Sequence, residues 1–258
     1  MSSLPPKISI VVPSYNKVRF IGQTLASIFD QKYKNLEVII QDGGSTDGSL
    51  QIIKKFAKKY PIILESKKDK GQLDAVNIGM RRATGEILTF INADDCYKSG
   101  ALSAVSKAYT SSPNSLWFAG RGIVVNEKGK EIAKAVTWYK NLLLSLNSKY
   151  FLLVTNYLIQ PSIFFTKTAY KKYGPFSGTS DFITEYNFWL KLGHVSMPTV
   201  INKDISKFRI EPNTKTKRMF KGLLFEDMKI VKKYTRNPII LILHELNNMG
   251  RVLIAKFV

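Results

Sequence analysis

Strand-like and helix-like segments alternate along the first hundred residues, and this alternation restricts the fold more than any other feature of the sequence. Apolar, β-branched runs predict strands at residues 8–12, 36–40, 62–64 and 87–91. Apolar residues at helical spacing predict helices between them, at residues 20–29, 52–57 and 73–82. Because strands that alternate with helices form mostly parallel sheets, we expect an α/β fold with a Rossmann-like central sheet flanked by helices.

Polar residues follow three of these strands at the point where each strand ends. Pro13-Ser14-Tyr15-Asn16 follows the first strand, Asp42 follows the second, and Asp94-Asp95 follows the fourth. Ligands of open α/β sheets bind at the carboxyl ends of the strands. We therefore expect the three clusters to meet along one edge of the sheet and to form a binding site there.

The acidic residues in these clusters have two interpretations each when taken alone. The pair Asp94-Asp95 suits a divalent cation such as Mg²⁺ or Mn²⁺, which prefers hard oxygen ligands. It equally suits the N-cap of a helix that begins near Lys98, and capping is the more common role. Asp42 can accept hydrogen bonds from a ribose hydroxyl or a base imide, but an Asp before two glycines is more often a turn residue.

After residue 112 the pattern is less regular. Short apolar runs predict strands at residues 116–119, 123–125 and 162–165, and a hairpin turn is expected around Lys128-Gly129. Helical spacing predicts helices at residues 138–146 and 183–192.

Several short motifs occur in a fixed order along the chain. Their sequences are PSYN (13–16), TLASIFDQ (24–31), IIQDGGSTDGS (39–49), DKGQLDAVN (69–77), NADD (92–95), QPSIFF (160–165), YKKYGPF (170–176) and EYNFWLKLG (185–193). Together they resemble family 2 glycosyltransferases, which are inverting enzymes with a GT-A fold that use nucleotide-sugar donors. The resemblance is strongest over residues 7–100 and returns at the three later motifs.

The resemblance implies roles for the residues at the strand ends. Asp42 would contact the nucleoside, and Pro13 and Tyr15 would line the base pocket. Asp69 and Asn77 would complete nucleotide recognition, although Asn77 is equally well explained as a helix-surface amide.

The NADD sequence occupies the position of the family's DxD motif. Asp95 would be the main ligand of Mn²⁺ or Mg²⁺, with Asp94 near the ribose or the metal and Asn92 on the nucleotide sugar. Two departures stand out: Gly43 replaces an acid that many relatives carry, and Asn92 replaces the first acid of the motif.

The resemblance also implies a catalytic base. Glu185 occupies the position of the family's base, with Asp181 as a fallback, and Asn187 replaces a second acid of many relatives. Arg209, Lys215 and Gln160 are candidate contacts to the diphosphate or the acceptor. Glu211 stands where relatives often have a histidine.

The motifs therefore predict an inverting glycosyltransferase of polysaccharide or glycoconjugate biosynthesis. The donor is expected to be a UDP-sugar, with dTDP and GDP open, and the acceptor a glycan or a lipid-linked saccharide. Two alternatives are a catalytically impaired sugar-nucleotide-binding relative and a nucleotidyltransferase. A nucleic-acid-binding protein is suggested by the net charge of +20 alone, but no nucleic-acid-binding motif is found and the acidic clusters would be unexplained.

The same resemblance divides the chain into a nucleotide-sugar-binding half (1–112), an acceptor-binding and catalytic half of the same domain (113–212), and a basic helical tail (213–258). Residues 215–258 hold ten Lys or Arg against three Asp or Glu, with apolar residues at helical spacing from Met219 to Val231. Two interpretations stay open: the tail binds an anionic membrane, or its apolar stripe packs on the domain.

Compartment and membrane insertion are predicted from what the sequence lacks. Cys96 is the only cysteine, so a reducing compartment is expected. The sequence also shows no secretory leader and no apolar run of spanning length. A cytoplasmic protein is therefore expected, peripheral on the inner face of the membrane if the tail binds lipid.

Overall fold

One mixed sheet organises the computed structural model, which describes residues 4–177, 184–211 and 220–254. Within those ranges the sheet has eight strands in the order β3-β2-β1-β4-β7-β6-β8-β5. The strands are β1 (Ile8–Ser14), β2 (Leu36–Asp42), β3 (Ile62–Ser66), β4 (Ile87–Phe90), β5 (Cys96–Tyr97), β6 (Trp117–Val125), β7 (Ile163–Thr166) and β8 (Thr199–Arg209).

Helices cover both faces of this sheet. They are α1 (Ile21–Phe29), α2 (Ser49–Ala57), α3 (Gln72–Arg82), α4 (Ala101–Ser111), α5 (Lys134–Leu146), α6 (Lys149–Val154), α7 (Lys167–Tyr173), α8 (Thr184–Val195), α9 (Phe220–Val231) and α10 (Pro238–Ile254). The four strands and three helices predicted in the first hundred residues are all present, which confirms the mostly parallel, helix-flanked sheet expected for this half of the chain.

The first four strands are parallel, and β1, β2 and β4 are buried on both faces. β2 pairs with both β1 and β3, and β1 also pairs with β4, always in parallel. Every residue of β1 is buried, which explains its β-branched composition. The register places Ser14 opposite Asp42 and Asp42 opposite Ser66, so the three strands end at the same edge.

Strands from the second half of the chain continue the same sheet. β7 is antiparallel to both β4 and β6, whereas β8 runs parallel to β6. β6 is one strand where the sequence predicted two, and the hairpin turn after it places Gly129 at a φ of 78°. A Cβ at Gly120 would lie 2.4 Å from Cδ1 of Ile205, so β6 and β8 approach closely because this position lacks a side chain.

Alternate side chains of β1 supply two hydrophobic cores on opposite faces. Ile10 and Val12 pack with Leu25 of α1 and with α2 and α4. Val11 faces the other way and packs with α3 and α8, where the rings of Trp117 and Trp189 stack with centroids 5.9 Å apart. These cores fix the helices against the sheet and leave its carboxyl edge for the polar residues.

The C-terminal helices pack on the second core. Leu224, Ile230 and Val231 of α9 are buried, so the described part of the apolar stripe faces the domain and follows the packing interpretation. Arg251 of α10 pairs with the buried Asp227 of α9 at 2.9 Å. None of the helices in the three described ranges combines the length and apolar character that crossing a bilayer requires.

The tight contact between α3 and β1 gives a test of this packing. A Cβ at Gly79 would lie 2.4 Å from Cγ1 of Val11, so we expect Gly79→Ala to lower the free energy of unfolding by about 1–3 kcal/mol. That cost exceeds the ~1 kcal/mol by which alanine is favoured over glycine inside a helix.

Gly250→Ala in α10 is the matched control, because no atom lies within 4 Å of the added Cβ. We expect it to leave stability unchanged or to raise it slightly. Urea denaturation of both variants measures the two effects, and equal changes would contradict the close approach of α3 to β1.

Candidate active site

The ends of β1, β2 and β4 bring the three polar clusters together, as the sequence predicts. The N–H of Gly43 donates to the carbonyl of Ser14 at 2.8 Å, which joins the first two clusters. Lys17, just after the PSYN segment, reaches Asp94 with an Nζ–Oδ2 distance of 2.6 Å. Pro13 is buried within β1, whereas Tyr15 is 62% exposed beside these residues and accessible to a planar ligand.

Asp42 organises the turn that follows β2. Its side chain is fully buried, and its carboxylate accepts hydrogen bonds from the N–H groups of Gly44 and Ser45 and from the hydroxyl of Ser66. Asp42 therefore makes the contacts expected of a residue that stabilises a turn. The nucleoside contact implied by the resemblance stays a prediction.

Asp69 lies directly over Gly43. A Cβ at Gly43 would be 3.0 Å from Oδ2 of Asp69, whose Oδ1 accepts from the N–H of Gly71 at 2.9 Å. An acidic side chain at position 43 would therefore crowd and repel Asp69. The carboxylate next to this turn therefore belongs to Asp69, which lies against Gly43, and not to the residue at position 43.

Asp95 is held inside the protein. Its Oδ1 accepts from the backbone N–H of Arg209 at 2.8 Å, and its Oδ2 accepts from the amide of Asn92 at 3.3 Å. Burial raises the pKa of Asp95 well above its usual value and the Asp94 carboxylate adds to this, although the two N–H donors act in the opposite direction. These contacts engage both carboxyl oxygens of Asp95, and its implied role as the main metal ligand stays a prediction.

Asp94 faces a different environment, in which two carboxylates share one cation. Nζ of Lys17 lies 2.6 Å from Oδ2 of Asp94 and 2.6 Å from Oε1 of Glu211. Partial burial lowers the pKa of Lys17, but the two carboxylates outweigh it and raise the pKa overall. Sequence analysis did not select Lys17, although its position immediately after PSYN at a strand end is the signal for it.

The donor chemistry at Asp94 and Glu211 suits Mn²⁺ or Mg²⁺, because both are hard oxygen ligands that already converge on one positive charge. The described residues contain no group of three or more His, Cys, Asp or Glu side chains arranged to hold a metal. The protein therefore offers part of a coordination shell, and a diphosphate and water would have to complete it.

Arg209 acts as a clamp on the acidic loop. Its side chain is 5% exposed and donates four hydrogen bonds to oxygen atoms, besides one to Sγ of Cys96 at 4.0 Å. Their acceptors are the carbonyls of Asp94, Asn126 and Glu127 and the side chain of Gln23. In the structure the guanidinium is engaged by these contacts, and the implied contact of Arg209 to the diphosphate or the acceptor stays a prediction.

Glu185, the predicted base, lies in the first turn of α8 and is partly buried. Burial raises its pKa to about 7, with a further rise from the Asp227 carboxylate and opposing effects of its own backbone N–H and of Lys140. A carboxylate with a pKa near the working pH is suited to accept a proton. Asp181, the fallback, lies outside the described residues.

Two side-chain amides connect α8, which carries Glu185, to α3. Asn77 in α3 bonds both the N–H and the carbonyl of Phe176, and Asn187 in α8 donates to the carbonyl of Ser177. α3 and α8 are therefore joined through residues 176–177. The amide of Asn77 is used for this join, which is a third role beside the two that the sequence suggested.

Gln160 begins the short turn before β7, and its side chain reaches the end of β4. Its Nε2 donates to the carbonyl of Phe90 at 2.9 Å, and its buried Oε1 has no hydrogen-bond partner among the described residues. The contact of Gln160 to the diphosphate or the acceptor stays a prediction. Lys215, the other candidate, lies outside the described residues.

Comparisons with known proteins give a consistent result. A family model for glycosyl transferase family 2 matches residues 9–174. An uncharacterized glycosyltransferase of Rickettsia felis is 25% identical over 81% of this chain and 34% of its own length. A Campylobacter jejuni protein named GalNAc(5)-diNAcBac-PP-undecaprenol beta-1,3-glucosyltransferase is 32% identical over 39% of this chain and 33% of its own. The chain spans about a third of the length of these relatives.

Two solved structures share the architecture. The mannosyltransferase PcManGT of Pyrobaculum calidifontis, in complex with GDP-Man and Mn²⁺, superposes with a TM-score of 0.69 over 97% of this chain and 73% of its own, at 20% identity. Residues 1–349 of S. aureus TarS with UDP-GlcNAc superpose with a TM-score of 0.63 over 87% of this chain and 66% of its own, at 18% identity. These likenesses confirm the GT-A fold expected from the motifs.

From the hydrogen bonds of Arg209 we predict that even replacement by lysine lowers stability strongly. Lysine has no planar fork and cannot bond Asp94, Glu127 and Gln23 together, so we expect Arg209→Lys to lower the free energy of unfolding by about 2–3 kcal/mol. Chemical denaturation measures this change.

Arg19→Lys is the matched control, because Arg19 is exposed and its ion pair with Glu127 lies at the surface. We expect a change within about 0.5 kcal/mol there. If Arg209→Lys weakened nucleotide binding without affecting stability, the diphosphate contact would replace the clamp.

Proposed function

Because the chain belongs to glycosyl transferase family 2, we propose that it is an inverting glycosyltransferase that moves a sugar from a nucleoside-diphosphate sugar to a glycan or lipid-linked saccharide. One observation carries the proposal: the carboxylates of Asp94 and Glu211 converge on the ammonium group of Lys17 at the edge where β1, β2 and β4 end. An anionic diphosphate binds such an edge only when a cation offsets the repulsion between like charges.

For the donor we propose a UDP-sugar, with GDP and dTDP as alternatives. The TarS structure was solved with UDP-GlcNAc and the PcManGT structure with GDP-Man and Mn²⁺, which supports a nucleotide sugar without choosing its base. The exposure of Tyr15 just after β1 supports stacking on a base, and the position of Asp69 against Gly43 supports a hydrogen bond from a ribose hydroxyl or a base N–H.

The proposed reaction uses Glu185 as the base. Its carboxylate takes the proton of the acceptor hydroxyl, whose oxygen forms a bond to the anomeric carbon. The bond from that carbon to the diphosphate oxygen breaks, and the configuration inverts because attack comes from the opposite side. A divalent cation held by Asp94 and Glu211 would offset the negative charge that develops on the leaving diphosphate.

For the acceptor we propose a saccharide of polysaccharide or glycoconjugate biosynthesis. The name of the Campylobacter jejuni relative includes an undecaprenol-linked oligosaccharide, and this supports a lipid-linked acceptor for the present chain. Such acceptors are presented at a membrane surface. We accordingly propose that the enzyme acts in the cytoplasm at the inner face of the membrane.

A catalytically impaired sugar-nucleotide-binding relative is the second candidate. Four family positions carry changes, at Gly43, Asn92, Asn187 and Glu211. Asn187, which replaces an acid, is engaged with Ser177 and with the hydroxyl of Tyr234, so it offers no carboxylate to the reaction. This candidate predicts donor binding without transfer, so one assay of each kind separates the two.

A thermal-shift panel of nucleoside diphosphates and nucleotide sugars tests the donor and the metal together. We expect a UDP-sugar to raise Tm, and to raise it further with Mn²⁺. Asp94→Asn should abolish the gain from Mn²⁺, because it removes one of the two convergent carboxylates. Asp204→Asn is the control, since Asp204 also pairs with cationic side chains but on β8, through Lys98 and Arg121. The absence of any nucleotide effect would contradict the proposal.

The base gives a second test. We expect Glu185→Gln to lower kcat by at least about a thousandfold while the donor-induced shift in Tm is kept. In the wild type, kcat/KM should rise about tenfold per pH unit up to pH about 7 and then level off, because only the deprotonated carboxylate accepts the proton. Glu245→Gln, at an exposed acid of α10, is the matched control and should leave both quantities unchanged. Near-normal turnover in Glu185→Gln would remove Glu185 from the mechanism.

A further inference from the structure

The outer side of α10 is apolar where a solvated helix would be polar. Five large side chains along it are about half exposed or more: Ile239, Ile242, Leu243, Leu246 and Met249. Their spacing places them on one side of the helix. The opposite side carries the buried Ile240, His244 and Asn248, which pack on the domain. α10 thus buries one side in the protein and presents a second, apolar side outward.

Neighbouring helices extend this surface. Trp138, Leu142 and Leu146 of α5 recur every four residues and are exposed, Trp138 by 67%. Tyr150 and Phe151 of α6 are exposed as well. We call these ten side chains of α5, α6 and α10 the apolar face.

Two hydrogen bonds hold the three helices side by side. The amide of Asn247 in α10 donates to the hydroxyl of Tyr139 in α5 at 3.4 Å. Nδ1 of His244 in α10 lies 2.9 Å from the carbonyl oxygen of Leu153 in α6. Ten large apolar side chains on adjacent helices differ from the scattered exposed residues of an ordinary surface, and clustered apolar exposure marks an interaction site.

Basic residues border the apolar face. The segment between α9 and α10 exposes three basic side chains, those of Lys232, Lys233 and Arg236. Lys149 lies over the ring of Tyr150 at 5.3 Å, at the α6 border. In the described tail, Asp227 and Glu226 are engaged with Arg251 and Lys229, which leaves Glu245 as the exposed acid of α10. The border is therefore strongly positive.

We propose that the apolar face docks on an anionic lipid bilayer, with α10 parallel to the membrane plane. Its apolar side chains would enter the acyl boundary while Lys232, Lys233 and Arg236 contact the headgroup phosphates. Sequence analysis left membrane binding as one of two interpretations of the stripe at 219–231. The structure turns the described part of that stripe inward and presents a different surface, on helices that sequence analysis had not connected.

The charge favours this occupant over a second copy of the chain. Two copies that each carry a net charge of +20 would bring their basic borders together on dimerisation, which opposes association. Insertion across the membrane is also disfavoured, because α10 would have to leave the buried contacts of His244 with Leu153 and of Arg251 with Asp227.

Flotation of the full chain with lipid vesicles tests the proposal. We expect it to float with vesicles of phosphatidylcholine and phosphatidylglycerol, to bind vesicles of phosphatidylcholine alone much more weakly, and to lose part of its binding at high salt. The assay needs no donor and no acceptor, so its outcome is independent of the proposed sugar transfer.

Matched variants separate the apolar and the basic contributions. Leu246→Glu should lower the partition coefficient about tenfold or more, because a carboxylate would replace a leucine that enters the bilayer. Leu4→Glu makes the same change at a residue that is 74% exposed outside the apolar face, and should have a much smaller effect. Lys232→Gln/Lys233→Gln should lower binding about fivefold for each lysine. Lys58→Gln/Lys59→Gln, at exposed lysines after α2, should lower it little.

Unchanged circular dichroism and Tm ensure that each variant is folded. The proposal is overturned if the chain ignores both lipid compositions, or if the two lysine pairs act equally while Leu246→Glu has no effect, because binding would then follow overall charge. It is also overturned if the chain is a dimer that Leu246→Glu converts to a monomer, since a second copy would then cover the face.

Discussion

A single buried guanidinium holds the proposed active site together. Arg209 ends β8, and its side chain bonds the carbonyls of Asp94 and Glu127 and the side chain of Gln23, while its backbone N–H bonds Asp95. A buried charge is tolerated only when its donors are satisfied, and here the acceptors come from three separate segments of the sheet edge. The loop after β4, the start of α1 and the hairpin after β6 are thereby fixed relative to one another.

These contacts of Arg209 hold the adjacent carboxyl groups of Asp94 and Asp95 in different environments. Asp95 is turned inward and raised in pKa by burial, whereas Asp94 is turned toward Lys17 and Glu211. Adjacent residues of an extended or turning chain point in different directions, so Asp95 bonds the backbone of Arg209 while Asp94 pairs with the ammonium of Lys17. The proposed base lies in a separate environment, where burial and the Asp227 carboxylate raise the pKa of Glu185.

Much of the first half of the fold is predictable because its signals are local. Runs such as IVV at 10–12 and VII at 38–40 are apolar at every position, which identifies buried parallel strands, and the glycines after Asp42 identify the turn. β8 was not predicted, because Lys, Asp and Ser interrupt its apolar residues, and it is recognised as a strand through its pairing with β6 and β5. β5 is two residues long and exists only because β8 lies beside it.

The family and the positions of the polar clusters were determined by the sequence alone, because motif order and strand ends are properties of the chain. Which carboxylate faces a cation, which arginine is a clamp and which helix side stays apolar were decided only by the tertiary structure. These depend on side-chain direction and burial, and both are set by partners distant in sequence, such as Lys17 with Glu211 or Asn247 with Tyr139. A linear pattern records which residues are present, but the free energy of a charge depends on what surrounds it after folding.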